Sequence, residues 1–314
     1  MRADVDRLVC DAVSTDTIEL VRCSKRAPLT NAAARWRQLR VRMGQLTRGL
    51  KHSWHDGLHY DGKTIVCHAS ILHKDFWLEA LDKHHRYGFH LRAFHKAWKH
   101  EMATYEDHGH NNCKNASFFD WLDHGNGQYV ELPECTQHGL RSTRVEYCNA
   151  EERQVYKLEF VALKESKAVR VQYAMSQRVI HTDERSKWIF VIDLSGFMYL
   201  GRKRKGRFHH SSFVSGAPIV AAGKIIIKNG IILAVEPHSG HFKPRLENLQ
   251  ALCSILATHG VDIDRIAFIK PKKWSCVWPF PPQMDLELED FASASDTDYS
   301  LDRFEEDGAM LECT

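Results

Sequence analysis

Two short segments carry residue types that can do acid–base chemistry. His209-His210-Ser211-Ser212 and His238-Ser239-Gly240-His241 each pair imidazoles with hydroxyls over four consecutive residues. An imidazole titrates near neutral pH, where most side chains are fixed in charge, so it can take or give a proton. A neighbouring hydroxyl supplies a nucleophile, or a donor to a phosphate or ribose oxygen. Each segment follows a run of strand character, which places both at one end of a sheet. His210, Ser211, Ser212 and His241, with Ser239 beside them, are therefore the candidate catalytic residues, and a nucleotide-type substrate is the ligand class they suit. In the competing reading, His210 and Ser211–Ser212 satisfy buried backbone groups at a sheet corner.

The first segment closes a basic run, Gly201-Arg-Lys-Arg-Lys-Gly-Arg207, that continues to Phe213. Arg202, Lys203, Arg204 and Lys205 are candidate phosphate-binding residues, with Gly201 and Gly206 permitting close backbone approach. The same run has the composition of a nuclear import signal. No aromatic stacking pattern accompanies it and no nucleic-acid-binding module surrounds it, which argues against a nucleic-acid binder. A strand ending near Tyr199 followed by His-Ser-Ser resembles the nicotinamide pocket of ADP-ribosyltransferase-like folds, with Glu236 or Glu247 as the carboxylate. On that reading the chain is a transferase on a nucleotide-type substrate.

Histidine is abundant, with 20 residues. His52, His55 and His59 loosely mimic a zinc-binding helix, but the Asp56-Gly57 turn argues against a helix there. His84, His85, His90 and His95 fall on helical stretches, and His108 and His110 in a polar loop. No set forms a ligand quartet, so no metal and no cofactor is expected. The sequence contains no Walker loop, G-x-S-x-G, G-x-G-x-x-G or H-E-x-x-H.

Asn31–Lys51 is the candidate partner-binding element. It holds Arg35, Arg37, Arg40, Arg42, Arg48 and Lys51 and no acid. Trp36, Leu39, Met43, Leu46 and Leu50 recur at helical spacing, which predicts a basic amphipathic helix. Trp36, Met43 and Leu50 can enter two apolar lobes while Arg40 and its basic neighbours meet acidic rims, the manner in which calmodulin reads a target. The alternative is a surface helix whose Trp36 packs on the body.

The elements that must position these residues follow from periodicity. Residues 1–30 read as a lead-in segment. His52–Ser70 reads as loop. Asp75–His84 and Phe89–Lys99 read as helices split at Tyr87-Gly88, and Ser117–Leu122 as a short aromatic segment. Gln128–Leu132, Val155–Ala162, Val169–Ala174, Lys187–Asp193 and Phe197–Leu200 read as strands, the last two flanking Ser195-Gly196. Lys224–Lys228 and Ile231–Val235 flank Asn229-Gly230, the strongest hairpin signal in the chain. Pro244–His259 reads as a helix with Pro244 in its first turn and Gly260 as its stop, and Ile266–Ile269 as a last strand. Arg86 is placed to pair with Asp123, as a structural ion pair joining the helical half to the sheet. The expected class is α+β: an N-terminal helical half packed on a mostly antiparallel sheet with one helix from the C-terminal half.

Residues 31–283 read as one domain and 284–314 as an acidic disordered tail. The tail has 11 Asp/Glu against Arg303, a net of −10, while 1–283 carries 42 Lys/Arg and 29 Asp/Glu, a net of +13. It could lie on the basic body and screen it, or act only as a solubilising tail. No stretch has the apolar length of a membrane span, Met1–Cys23 lacks a secretory pattern, and the nine cysteines lack C-x-x-C spacing. These features predict a cytoplasmic and nuclear protein with reduced thiols and no membrane partner.

Several motifs in one order resemble the plant IQ-motif calmodulin-binding (IQM) family. They are Asp82-Lys-His-His-Arg-Tyr-Gly88, Phe118-Phe-Asp-Trp-Leu-Asp123, Gly201–Phe213, and Pro237-His-Ser-Gly-His241 with Pro244. The resemblance runs from about Asn31 to Ile266. It implies calcium-dependent or calcium-independent calmodulin binding through an IQ motif near the N-terminus. The chain departs from the family there: residues 1–60 hold only the fragments Gln38-Leu-Arg40 and Arg48-Gly49.

Overall fold

A computed structural model describes residues 58–60, 63–65, 69–107, 117–163 and 168–280. The basic segment Asn31–Lys51 and the acidic segment 284–314 lie outside the described residues, as do His52, His55, His108 and His110 and the side chain of His59.

The expected α+β architecture is present: helices first, then a mixed, mainly antiparallel sheet, then a helix. Five strands form the central sheet: β5 (Trp188–Asp193), β6 (Met198–Arg202), β7 (Ile219–Lys228), β8 (Ile231–Glu236) and β9 (Ala267–Phe268). Their order is β6-β5-β7-β8-β9, and only the β8–β9 pair is parallel. Asn229 and Gly230 both take positive φ (51° and 80°), the geometry a two-residue turn needs to match strand twist. Among the described residues two further antiparallel pairs are present: β1 (Leu58–Tyr60) with β2 (Lys63–Ile65), and β3 (Leu158–Ala162) with β4 (Val169–Tyr173).

Strand β5 is apolar on both sides because both faces of the sheet are covered. Phe190 and Ile192 face a core completed by α6 (Leu246–Thr258) through Leu249, Leu252, Ile255 and Leu256. Ile189 and Val191 face a second core with Phe208, Phe213, Phe242, Leu72 and the partly buried Phe76 and Trp77. The helical half has its own core. Leu91, Phe94 and Trp98 of α2 (Gly88–Asp107) meet Phe118, Trp121 and Leu122 of α3 (Phe118–His124) and Leu140 of α4 (Gln137–Ser142). Ser117 caps α3 and Thr136 caps α4, each hydroxyl accepting a backbone N–H three residues on.

Several expectations are corrected. Asp75–His84 is a 3-10 turn (Lys74–Phe76) and the short helix α1 (Trp77–Leu81); the chain then turns at Lys83 and His84. Phe89–Lys99 extends to Asp107. Gln128–Leu132 is no strand: Asn126–Tyr129 is a 3-10 turn, and Gly127 packs so closely under Trp121 that a Cβ would stand 2.6 Å from the indole. Leu58–Tyr60 and Lys63–Ile65, within the stretch read as loop, are the paired strands β1 and β2, and β3 starts at Leu158 after a 3-10 turn. The last helix starts at Leu246, so Pro244 precedes its cap rather than sitting in its first turn.

Candidate functional site

The chain leaves β6 at Arg202, makes a tight turn in which Arg204 and Phe208 exchange backbone bonds, and enters the four-residue helix α5 (His210–Phe213). Gly206 takes φ 69° in that turn, with Thr143 only 2.6 Å from where a Cβ would be. The Ser212 hydroxyl accepts the His209 N–H at 2.9 Å and closes the cap of α5. His210 Nε2 donates to the Gly223 carbonyl at 3.1 Å, tying α5 to β7. Burial outweighs the opposing Gly223 bond and, with smaller contributions from the charges of His241, Lys203 and His238, keeps the His210 imidazole far below its ordinary pKa, so the ring is neutral.

The second segment returns to the same place. After β8, residues Pro237–His241 fold under the helical half, and the His241 carbonyl accepts the His73 N–H at 2.7 Å. The His241 ring stacks on Phe76 (centroids 3.8 Å) and on His209 (5.0 Å), and His209 stacks on Tyr87 (5.4 Å). Four rings thus form a column, Phe76–His241–His209–Tyr87, two from each half of the molecule. The Ser239 hydroxyl is buried with no hydrogen-bond partner among the described residues.

The carboxylate beside His241 is neither Glu236 nor Glu247. Glu236 is bound to Lys224 at 2.8 Å, and Glu247 lies exposed in the first turn of α6. Instead Glu79 of α1, fully buried, places Oε1 3.7 Å from His241 Nε2. The same oxygen accepts the Tyr147 hydroxyl at 3.0 Å, while Oε2 accepts the Gly88 N–H at 2.9 Å. Gly88 opens the 20-residue α2, so the carboxylate sits on the positive end of a helix dipole. Burial, then the Glu79 charge, pushes the Tyr147 hydroxyl well above its ordinary pKa, which keeps it a donor. Ser211 lies beside that hydroxyl. Glu79 and Tyr147 were missed in the sequence. The only signal for Glu79 is a lone acid among the apolar residues Trp77–Leu81, and Tyr147 has none.

Arg86 forms the anticipated pair with Asp123, at 2.6 and 3.2 Å, and also a fork on Asp82, at 2.7 and 2.9 Å. Burial opposes ionisation of Asp82, but the Arg86 bonds outweigh it and hold the carboxyl below its usual range. All three residues lie in the helical half, so the pair does not itself reach the sheet. The link is the extended strap Thr143–Cys148. It bonds Tyr87 and His85 on one side (3.1 and 2.7 Å) and Arg207 and Ser212 on the other (2.7 and 2.9 Å).

The basic run faces solvent around this corner. Arg202 pairs with Asp183 at 2.9 Å and lies over Trp188, and Arg204 pairs with Glu146 and lies over Phe208. Lys203 is half-buried, with its N–H on Lys187 O at 2.8 Å, and Lys205 is exposed. The structure therefore brings His209, His210, Ser211, Ser212, Ser239 and His241 into one packed corner, and puts Arg202, Arg204 and Lys205 outside it. Among the described residues, no group of three or more His, Cys, Asp or Glu is placed to hold a metal ion. The described cysteines are free thiols, and burial raises those of Cys135, Cys148 and Cys253 to about 11. No described helix is long and apolar enough to cross a membrane.

The fold and this corner define an α+β protein whose helical half is sewn onto a sheet by a buried polar knot. Residues 152–249 match the family model of the IQ motif-containing protein middle domain, a span from the 3-10 turn before β3 into α6 that includes the basic run and both His/Ser segments. The chain is 36% identical over 238 residues to IQ domain-containing protein IQM2 of Arabidopsis thaliana, covering 74% of this chain and 34% of that protein. It is 37% identical over 190 residues to IQM5 (60% and 35% covered) and 32% identical over 238 residues to IQM3 (75% and 46%), both from the same plant. The chain thus matches the plant IQM family at moderate identity across most of its length, and spans between a third and a half of the length of these relatives. No solved structure matches it.

Proposed function

We propose that this protein is an IQM-type regulator that acts by binding calmodulin through the basic amphipathic segment Asn31–Lys51. The observation that carries the reading is the match, over most of the chain, to relatives whose names describe them as IQ domain-containing. An IQ domain is a basic helical target for calmodulin. In this chain the role falls to Trp36, Arg40, Met43 and Leu50, although the residues of an IQ motif are not assembled there. The packed corner supports binding rather than turnover, because the His210 ring and the Ser212 hydroxyl are engaged by backbone groups inside the fold. The reading includes action in the cytoplasm and nucleus, the run Arg202–Arg207 being the segment an import receptor would read.

The test is a calmodulin pulldown with calcium and with chelator. Retention under either condition is expected, and Trp36→Ala should weaken it by about 2 kcal/mol through loss of the aromatic anchor. Arg35→Glu with Arg37→Glu should weaken it further and reduce its salt dependence. No retention under both conditions sinks the proposal.

A further inference from the structure

A band across the central sheet, level with Lys224 in the middle of β7, is rich in lysine. Register places Arg202 of β6 opposite Trp188 of β5, Ile189 opposite Lys224 of β7, Lys224 opposite Glu236 of β8, and Val235 opposite Phe268 of β9. These strand ends lie level with Lys224 in the middle of β7, from which the loops at β5 and β6 leave toward the Lys228 end of the sheet and those after β8 and β9 toward the Ile219 end. They contribute Lys187, Lys203, Lys224, Lys270, Lys272 and Lys273. Of the carboxylates there, Glu236 is engaged by Lys224 at 2.8 Å and Asp183 by Arg202 at 2.9 Å. Lys270, Lys272 and Lys273 are exposed, and Lys270 Nζ bonds the Cys276 carbonyl at 2.8 Å, which folds the segment after β9 back on itself. The charges converge on the half-buried His238. Burial first, then Lys224, Lys203 and Lys273, outweigh Glu236 and hold its imidazole below the ordinary range.

We infer that this lysine-rich band is the docking surface for the chain's own acidic C-terminal segment, residues 284–314. Charge complementarity is the first argument. The segment carries a net of −10 and the rest of the chain +13. Its densest part, Asp285-Leu-Glu-Leu-Glu-Asp290, alternates acids with leucines, so one side of an extended chain presents carboxylates to a row of ammonium groups. Position is the second argument. Phe280 stacks on Phe268 of β9 (centroids 4.2 Å) and Trp278 packs against Phe280 (5.5 Å), so the chain leaves the described part on the strand that borders the lysines. Asp285 follows five residues later, within a reach of about 17 Å even for extended chain. Tethering at that distance gives an effective concentration on the order of millimolar, enough for a weak multivalent ionic contact to be occupied. The docked segment would cover the basic surface and be displaced by a more strongly anionic partner.

The test is zero-length carbodiimide cross-linking of the full chain, read by mass spectrometry. Isotopically mixed protein separates links within a chain from links between chains. Expected are intrachain links from Asp285, Glu287, Glu289 or Asp290 to Lys203, Lys224, Lys270, Lys272 or Lys273, with yields about tenfold lower in 1 M salt. Lys272→Glu with Lys273→Glu, on exposed positions, should lower the remaining links several-fold. Equal yields on the exposed lysines of the helical half (Lys83, Lys96 and Lys99), or links found only between chains, would overturn the inference. Neither result bears on calmodulin binding by Asn31–Lys51.

Discussion

Glu79 Oε1 and His241 Nε2 lie 3.7 Å apart at the seam between the helical half and the sheet. Four separate stretches of chain meet at this one carboxylate: α1, the start of α2, the strap through Tyr147, and the loop after β8. None is near another in sequence except the first two. Glu79 is therefore a joint. Its charge is acceptable in the interior because a hydroxyl and a helix N-terminus are already turned toward it.

Removing that joint should be costly. Glu79→Ala leaves the Gly88 N–H and the Tyr147 hydroxyl buried without their acceptor and opens a cavity, for an expected loss of about 3–5 kcal/mol. Glu79→Gln preserves shape and one acceptor, and should lose about 1–2 kcal/mol. Urea unfolding followed by intrinsic fluorescence reads both. Equal midpoints for Glu79→Ala and the parent would show that the carboxylate does not hold the seam.

The Asp82–Arg86–Asp123 group makes a second, sharper prediction. Arg86→Leu strands two carboxylates, one fully buried, and should destabilise by about 3–5 kcal/mol. Adding Asp82→Asn and Asp123→Asn removes the stranded charges, so the triple variant should recover part of the loss. A triple variant no more stable than Arg86→Leu would mean that the guanidinium acts through packing and not through charge.

Much of this was legible in the sequence where the signal is local. Asn229-Gly230 forces positive φ, Gly260 (φ 79°) stops α6, and runs such as Trp188–Asp193 have no period but apolarity, so their strands were readable. Arg86 and Asp123 were readable as a pair because a helix-end arginine in an aromatic helical stretch needs a carboxylate. That the two His/Ser segments meet was also inferable, since each follows a strand. Their roles were not. Whether His210 faces a cleft or the Gly223 carbonyl depends on β7 lying beneath it, and Glu79 looks like any surface acid until Tyr147 and His241 arrive from the other half of the chain. The false strand at Gln128–Leu132 has the same origin: its residues suit a strand, but Gly127 under Trp121 bends them into a 3-10 turn.

Acid should unfold the protein through its histidines before its carboxylates. Burial, then Lys99, lowers His95 from 6.5 to about 4, and burial lowers His210 still more clearly. Both are neutral in the fold, whereas the unfolded chain protonates them near 6.5. The unfolded state then binds more protons, so stability falls as pH drops from about 6.5 toward 4. For His95 the loss approaches about 3 kcal/mol by pH 4. The Asp82 carboxyl acts below that window, because its lowered pKa withdraws stability only as pH falls past 3.8. His95→Gln should flatten the upper part of the stability–pH curve measured by urea unfolding at a series of pH values. An unchanged slope between pH 6.5 and 4 would contradict the assignment.

Gly223 tests whether the corner depends on the sheet beneath it. A Cβ there would stand 2.3 Å from the Glu236 carbonyl oxygen and 2.9 Å from the Phe190 ring. Backbone cannot yield as a flexible side chain can, so Gly223→Ala must part β7 from β8 next to the Lys224–Glu236 register. The Gly223 carbonyl that receives His210 Nε2 moves with it. The expected cost is about 2–3 kcal/mol from overpacking and the weakened bond. His210→Ala removes the same bond without straining the strands and leaves a cavity, so it too destabilises. Strain and bond loss separate in the double variant. If Gly223→Ala acts partly by breaking the His210 bond, the two costs will sum to more than the double variant shows, by about 1 kcal/mol. Strict additivity would mean that Gly223→Ala acts by strain alone and leaves the His210 bond intact.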